Sequence, residues 1–195
     1  MLPNFICIGA PKSGTTTFYE IVKQHPDIAV SSFKEPGFFD NDANWEKGIE
    51  WYDKTYFATV KKEKMVGEFT PSYLGSDIAP SRIFNSLGSN VKLVLLLRNP
   101  VERAYSHYLH SKRDLYENLE FEEALFSEKK RLLEFPELTS RFSYIRSGMY
   151  HQQIKNYLKF FDKNQMHVIL FDDFLSKKDE VVNELFRFLN LELAT

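Results

Sequence analysis

The chain has 195 residues, 43% of them hydrophobic and 27% charged, and its 25 Lys+Arg against 27 Asp+Glu leave a formal net charge of -2 at pH 7. Such a composition fits one large or two small folded domains and excludes a disordered or fibrous chain, while the balanced charge excludes a global positive field that would draw nucleic acid or an anionic membrane. Any anion site must therefore be local. The single cysteine, Cys7, forbids an intrachain disulfide, so a reducing cytoplasm is the expected compartment. No apolar run reaches bilayer length, and the start Met1-Leu2-Pro3-Asn4 lacks the charged region of a signal peptide.

Along the chain, short apolar runs alternate with helical patterns, which predicts an α/β fold of three layers with a central, mainly parallel sheet flanked by helices. Asn4 to Gly9 (NFICIG) reads as a buried strand, followed by a Gly/Ser/Thr turn and a helix from Thr15 to about Gln24. Further strands are expected at Ile28 to Ser31, Met65 to Glu68 and His167 to Phe171. Val91 to Leu97 (VKLVLLL) is the clearest strand, because a near-continuous branched apolar run implies cover on both faces.

Asn99-Pro100-Val101-Glu102 predicts a helix start of the capping-box type, with Asn at the N-cap, Pro first and Glu third. Val101, Ala104, Tyr105, Tyr108 and Leu109 then form an apolar stripe. Tyr150, Ile154, Tyr157, Leu158 and Phe161 form another, and Ser176-Lys177-Lys178-Asp179 is expected to cap a last helix carrying Val181, Val182, Leu185, Phe186 and Leu189. The charged stretch Asp114 to Glu137 reads as a surface helix with a flexible approach. No repeat or linker rich in Gly, Pro and Ser appears, so a single domain over 1–195 is expected.

Gly9-Ala10-Pro11-Lys12-Ser13-Gly14-Thr15-Thr16-Thr17 joins the first strand to the first helix. A Gly-rich turn at that place aims backbone N–H groups and the positive end of a helix dipole at one anion. The Walker A pattern needs Lys directly after its second Gly; here Thr15 stands there and the lysine is Lys12, inside the loop. A tight turn with hydroxyl caps is the plain alternative, disfavoured by the strand and helix on either side. A P-loop nucleotidase also places an acidic residue after an apolar strand to hold Mg²⁺. The strongest strand here ends instead in Arg98, which suits a phosphate dianion and cannot ligate a metal, with the Ser106 hydroxyl in the second turn of the following helix. Two anion pockets and no metal seat ask for a nucleotide phosphorylated at two places.

These segments resemble the sulfotransferases that use 3′-phosphoadenosine 5′-phosphosulfate (PAPS), and most of all the carbohydrate type represented by the heparan sulfate sulfotransferases. The matching stretches are Ile8 to Thr16, His25-Pro26-Asp27, Lys34 to Phe39, Gly48 to Tyr52, Glu68-Phe69-Thr70-Pro71-Ser72-Tyr73, Arg98 to Ser106 and Gly148 to Ile154, in order over nearly the whole chain. The resemblance implies a P-loop-like α/β fold, PAPS as donor, its desulfonated form 3′-phosphoadenosine 5′-phosphate (PAP) as product, and transfer of a sulfuryl group to an acceptor hydroxyl or amine, with a hydroxyl of a saccharide or hydroxylated metabolite as the expected acceptor. By position, Lys12 corresponds to the lysine on the 5′-phosphosulfate, with Ser13, Gly14, Thr15, Thr16 and Thr17 supplying loop amides and hydroxyls. Arg98 and Ser106 correspond to the 3′-phosphate pair, and Glu35 to the carboxylate base. Two departures stand out. Phe69 occupies the place of a lysine found in several of those enzymes, and the family continues past Phe188-Leu189-Asn190-Leu191 with a lid segment that this chain is expected to lack.

Glu35 precedes Pro36, which favours an extended backbone for it. Neighbours in an extended segment point oppositely, so no Lys34–Glu35 pair is expected. A solvent-exposed loop carboxylate is the bland alternative for Glu35. His107 is a fallback base; with His110 it lacks the partners that would complete a metal site. Lys61, Lys62 and Lys64, and Lys129, Lys130 and Arg131, read as solvated faces. The rival functions are a P-loop kinase of small molecules, against which the misplaced lysine and Arg98 argue, and a non-catalytic nucleotide-binding remnant.

Overall fold

The computed structural model describes residues 1–192. Five strands, β1 (Phe5–Gly9), β2 (Ile28–Val30), β3 (Met65–Phe69), β4 (Lys92–Leu97) and β5 (Met166–Leu170), form one sheet in the order β2-β3-β1-β4-β5, every neighbouring pair parallel. The alternation of each strand divides the core into two layers. Phe5 and Cys7 of β1, with Val94 and Leu96 of β4, face α1 (Thr15–Val22) and the chain's last helices. Ile6, Ile8, Leu93 and Leu95 face the opposite side. There they meet an aromatic layer that includes Phe38, Phe39, Tyr52, Tyr73 and Tyr157, all fully buried. A run such as KLVLLL has no polar face because helices cover both of its sides.

The helices after α1 are α2 (Asp42–Trp45), α3 (Ile49–Tyr56), α4 (Ala79–Leu87), α5 (Pro100–Arg113), α6 (Phe121–Glu134), α7 (Thr139–Phe142), α8 (Tyr150–Tyr157), α9 (Phe171–Ser176) and α10 (Lys178–Phe188). Short 3₁₀ turns lie between them, including Pro71–Gly75 after β3. Helices α5, α6 and α7 enclose a small third cluster of Ala104, Tyr108, Ala124, Phe142 and Tyr144.

Three local expectations are corrected. Asn99 does cap α5, its Oδ1 accepting from the amides of Val101 (3.0 Å) and Glu102 (3.4 Å), but the Glu102 carboxylate turns to Arg98 instead of closing a capping box. Of the stripe expected on α5, only Ala104 and Tyr108 are buried, while Val101, Tyr105 and Leu109 are exposed. The inward face is polar because it meets carbonyls of the segment 140–144: Arg103 donates to Tyr144 O, and Ser111 donates to Arg141 O at 2.7 Å. Ser176 ends α9, its hydroxyl donating back to Asp172 O (2.7 Å), and Lys177 occupies the N-cap of α10. Burial of Phe174 makes Phe171–Ser176 a helix of its own, and the chain bends before α10 begins.

Candidate active site

The chain leaves the carboxyl end of β1 toward one side of the sheet and that of β4 toward the other, and open α/β sheets bind ligands at such a switch point. A cleft of about 1120 Å³ opens here, lined by the loop after β1, the start of the turn after β3, Arg98, the inner face of α5 and the segment 137–147. At the end of β1, Gly9 packs against the turn after β3, where a Cβ would come within 2.6 Å of Leu74 Cβ and 2.9 Å of Pro71 O. That close approach of two backbones is open only to glycine.

The anion loop takes its shape from two left-handed residues, Lys12 (φ 67°) and Gly14 (φ 82°), the latter at the N-cap of α1. They bend the chain so that the first turn of α1, whose amides have no intrahelical acceptor, faces the cleft. Lys12, Gly14, Thr15, Thr16 and Thr17 line the cleft. Ser13 does not line it; its side chain is fully buried and its hydroxyl has no hydrogen-bond partner among the described residues. Burial pushes the Lys12 ammonium below the ordinary lysine value, and Arg113 adds repulsion that Asp114 and Glu35 oppose. A poorly hydrated cation beside free amides is suited to receive an anion.

Across the crevice, Arg98 leaves the end of β4 with its guanidinium 4.8 Å over the ring of Phe171. Its Nε and Nη2 donate to Glu102 at 3.2 and 3.1 Å. Ser106 lines the cleft one turn along α5 from Glu102, so the structure brings Lys12, Arg98 and Ser106 to one cavity.

Glu35 lines the same cleft, yet its local geometry differs from the expected one. Its φ is 63° and that of Gly37 is 59°, so the segment curls, and Lys34 and Glu35 form an ion pair on one side. Contacts from β3 and the turn after it outweigh the bias imposed by Pro36: Glu35 N–H donates to Phe69 O at 3.0 Å, Phe38 N–H to Tyr73 Oη at 2.8 Å and Phe39 N–H to Tyr73 Oη at 3.2 Å. Beneath this loop lies Glu68, fully buried and pushed up to about 7 by desolvation, against which the hydroxyls of Thr70, Tyr52 and Tyr73 act.

His107 is engaged on both ring nitrogens: Nε2 is 2.9 Å from Ser140 O, and Nδ1 is 3.5 Å from the Arg103 guanidinium. Burial, then the Arg103 charge, push it down to about 4, so the ring is neutral and structural. His110 lines the cleft beside Asp114. Among the described residues no three His, Cys, Asp or Glu side chains gather in a metal-binding group. Sequence reading missed Asp40, Arg141 and Arg146, which also line the cleft. Asp40 had one usable signal, its place directly after the Phe38-Phe39 pair. The two arginines had none, because only tertiary folding brings the segment 137–147 opposite the anion loop.

The arrangement defines a class first: a parallel α/β protein with a relative of the P-loop at one strand end and a second cationic pocket at the next. The sulfotransferase domain family matches residues 2–195, and the chain belongs to that family. It is 31% identical over 193 residues to heparan sulfate glucosamine 3-O-sulfotransferase 5 of Homo sapiens, covering 97% of this chain and 54% of that protein. It is 44% identical over 109 residues to a membrane-associated sulfotransferase of Dictyostelium discoideum, covering 55% of this chain and 22% of that one. The chain thus spans about half the length of the heparan sulfate relative, and among its described residues no helix is long and apolar enough to cross a membrane. A sulfotransferase from Alicyclobacillus acidocaldarius superposes with a TM-score of 0.89 at 32% identity, over 100% of this chain and 83% of that one. A mouse sulfotransferase complexed with PAP shares the fold, with a TM-score of 0.62 at 15% identity over 99% of this chain and 60% of that one.

Proposed function

We propose that this chain is a single-domain enzyme that moves a sulfuryl group from PAPS to a hydroxyl of a saccharide or small hydroxylated acceptor. The observation that carries the reading is the cleft itself, which gathers the Lys12 loop, Arg98 with Ser106, and Glu35, and we read the first two as two anion seats. PAPS carries anionic groups at its 5′ and 3′ ends, and the two seats match that pair. The relative named for heparan sulfate glucosamine supports a saccharide acceptor, and the fold neighbour that holds PAP supports the nucleotide.

In this mechanism the acceptor oxygen attacks sulfur while the bond from sulfur to the phosphate oxygen breaks, and PAP departs with the electron pair. Lys12 and the amides of the anion loop stabilise the negative charge that grows on the leaving oxygen. Glu35 takes the proton of the attacking hydroxyl. Lys34, paired to Glu35, orients the carboxylate before acceptor arrives and yields that contact to the incoming hydroxyl. Arg98 and Ser106 bind the 3′-phosphate equally before and during transfer, so they serve affinity and orientation.

The test is Glu35→Gln, which keeps size and hydrogen-bonding reach but cannot accept the proton. Transfer of labelled sulfate from PAPS to a heparan sulfate oligosaccharide and a panel of hydroxylated acceptors should fall by about 10² to 10⁴. PAP affinity and the thermal midpoint stay at the parent values. Turnover within a few-fold of the parent would remove Glu35 as the base.

A further inference from the structure

Glu68 is the one carboxylate of β3, and the alternation of that strand turns it into the aromatic layer beneath the cleft. No lysine or arginine pairs with it among the described residues. A buried carboxylate without a cation is costly unless its oxygens are hydrogen-bonded, and here three hydroxyls do that. Tyr52 Oη donates to Oε2, Thr70 Oγ1 donates to Oε1 at 2.6 Å, and Tyr73 contributes a third hydrogen bond. Two of the three hydroxyls also face the Glu35 loop. Tyr73 Oη accepts from the amides of Phe38 and Phe39, and Thr70 Oγ1 lies 3.4 Å from the Gly37 amide that donates to it.

Once ionised, above about pH 7, the Glu68 carboxylate accepts and never donates, so each hydroxyl that touches it must turn its proton inward. The outward lone pairs of Tyr73 and Thr70 are then the only groups they can offer to the loop, and successive amides of residues 37–39 point at them. From the far side, Asn44 Nδ2 donates to Pro36 O and Gly37 O at 3.3 and 3.2 Å, which closes the clamp. The Glu35 turn, left-handed at both Glu35 and Gly37, is thus held by contacts whose polarity Glu68 fixes.

We propose that Glu68 is a positioning residue that, through the hydroxyls of Tyr73 and Thr70, holds the loop that presents Glu35 to the acceptor. The inference rests on the reading of Glu35 as base. In Glu68→Gln the amide brings N–H donors of its own, at least one hydroxyl must reverse, and an amide of the loop loses its acceptor.

The molecule carries its own reporter. Its two tryptophans, Trp45 and Trp51, pack against Phe38 with ring centroids 5.3 and 6.4 Å apart, so tryptophan emission follows the loop. In the full chain, Glu68→Gln should shift that emission and lower kcat about 10- to 100-fold, the scale of a small misplacement at a reacting centre. PAP affinity, read by calorimetry, stays within about twofold because the anion loop is untouched. Tyr73→Phe, which keeps the ring and removes the relay, should reproduce both effects and add little to Glu68→Gln, while Thr70→Ser, which keeps the hydroxyl, stays close to the parent. In a Glu35→Gln background, Glu68→Gln should cost no further turnover on the heparan sulfate oligosaccharide.

Parent-like emission and kcat in both Glu68→Gln and Tyr73→Phe overturn the inference and leave Glu35 as the base. Full activity in Glu35→Gln beside a crippled Glu68→Gln overturns both together, since Glu68 would then act by another route.

Discussion

Replacing Arg98 by alanine tests the second anion seat, and the size of the effect follows from the geometry. The guanidinium is three-quarters buried, stacked on Phe171, and already shared with Glu102, itself largely exposed. A charge-assisted contact to a 3′-phosphate is worth about 1.5 to 3 kcal/mol. The ligand must displace an i,i+4 pair worth roughly 0.5 kcal/mol. The net loss on Arg98→Ala is about 2 kcal/mol, or roughly 30-fold in Kd. The assay is calorimetry of PAP and adenosine 5′-phosphate at one fixed salt concentration. PAP should weaken by that factor, while the 5′-monophosphate, which has nothing for Arg98 to hold, should bind as before. Glu102→Gln serves as the opposite perturbation: it frees the guanidinium and should tighten PAP alone. If Arg98→Ala kept the full preference for PAP, the seat for the 3′-phosphate would lie elsewhere in the cleft, and the assignment of Ser106 would fall with it.

Lys12→Ala should lower turnover far more than PAPS affinity, because the extra charge on the leaving oxygen is absent from bound PAPS and grows only as the bond to sulfur breaks; equal losses in single-turnover rate and PAPS binding would refute that role. His107 gives a pH signature. Its native value near 4 lies below the ordinary 6.5, so the unfolded chain binds a proton in that window that the native state refuses. Its contribution to stability is complete above about pH 6.5 and is lost as pH falls toward 4, with a slope of at most about 1.4 kcal/mol per pH unit, and His107→Gln should flatten that part of a urea-melt series. Gly67→Ala should destabilise by about 1 to 3 kcal/mol, because a Cβ there collides with the ring of Phe5; an unchanged melting temperature would show that the ring can move aside.

Much of the sheet was legible because its strands are buried on both faces and so carry continuous apolar runs. The expected Asn4 to Gly9 and Val91 to Leu97 segments became β1 and β4, each within a residue. The place of the loop after β1 was legible for a related reason: glycines, a lysine and hydroxyls between a strand and a helix need only local geometry to reach a cleft at the strand ends. Arg98 and Ser106 share that property, being fixed by one strand end and one capped helix. The misreadings have a common cause in contacts that arrive from distant sequence. Helix α5 buries Arg103, His107 and Ser111 in place of Val101, Tyr105 and Leu109 because the loop carbonyls opposite it need donors, and no periodicity of apolar residues records that need.

Glu35 shows the same competition at the scale of one residue. Pro36 disfavours the helical region for it, and an isolated peptide would be extended there. In the folded chain, Phe69, Tyr73 and Thr70 together offer acceptors to four amides of the segment 35–39, and meeting all of them requires two left-handed residues within three positions. At Gly37 that conformation is inexpensive; at Glu35 it costs on the order of 1 kcal/mol or more. Four amides left without acceptors in a half-buried loop would cost more, since each unpaired buried donor forfeits about 1 to 3 kcal/mol. The loop therefore follows its acceptors, Lys34 and Glu35 meet on one side, and the carboxylate that a flat reading sends outward stands on the wall of the cleft.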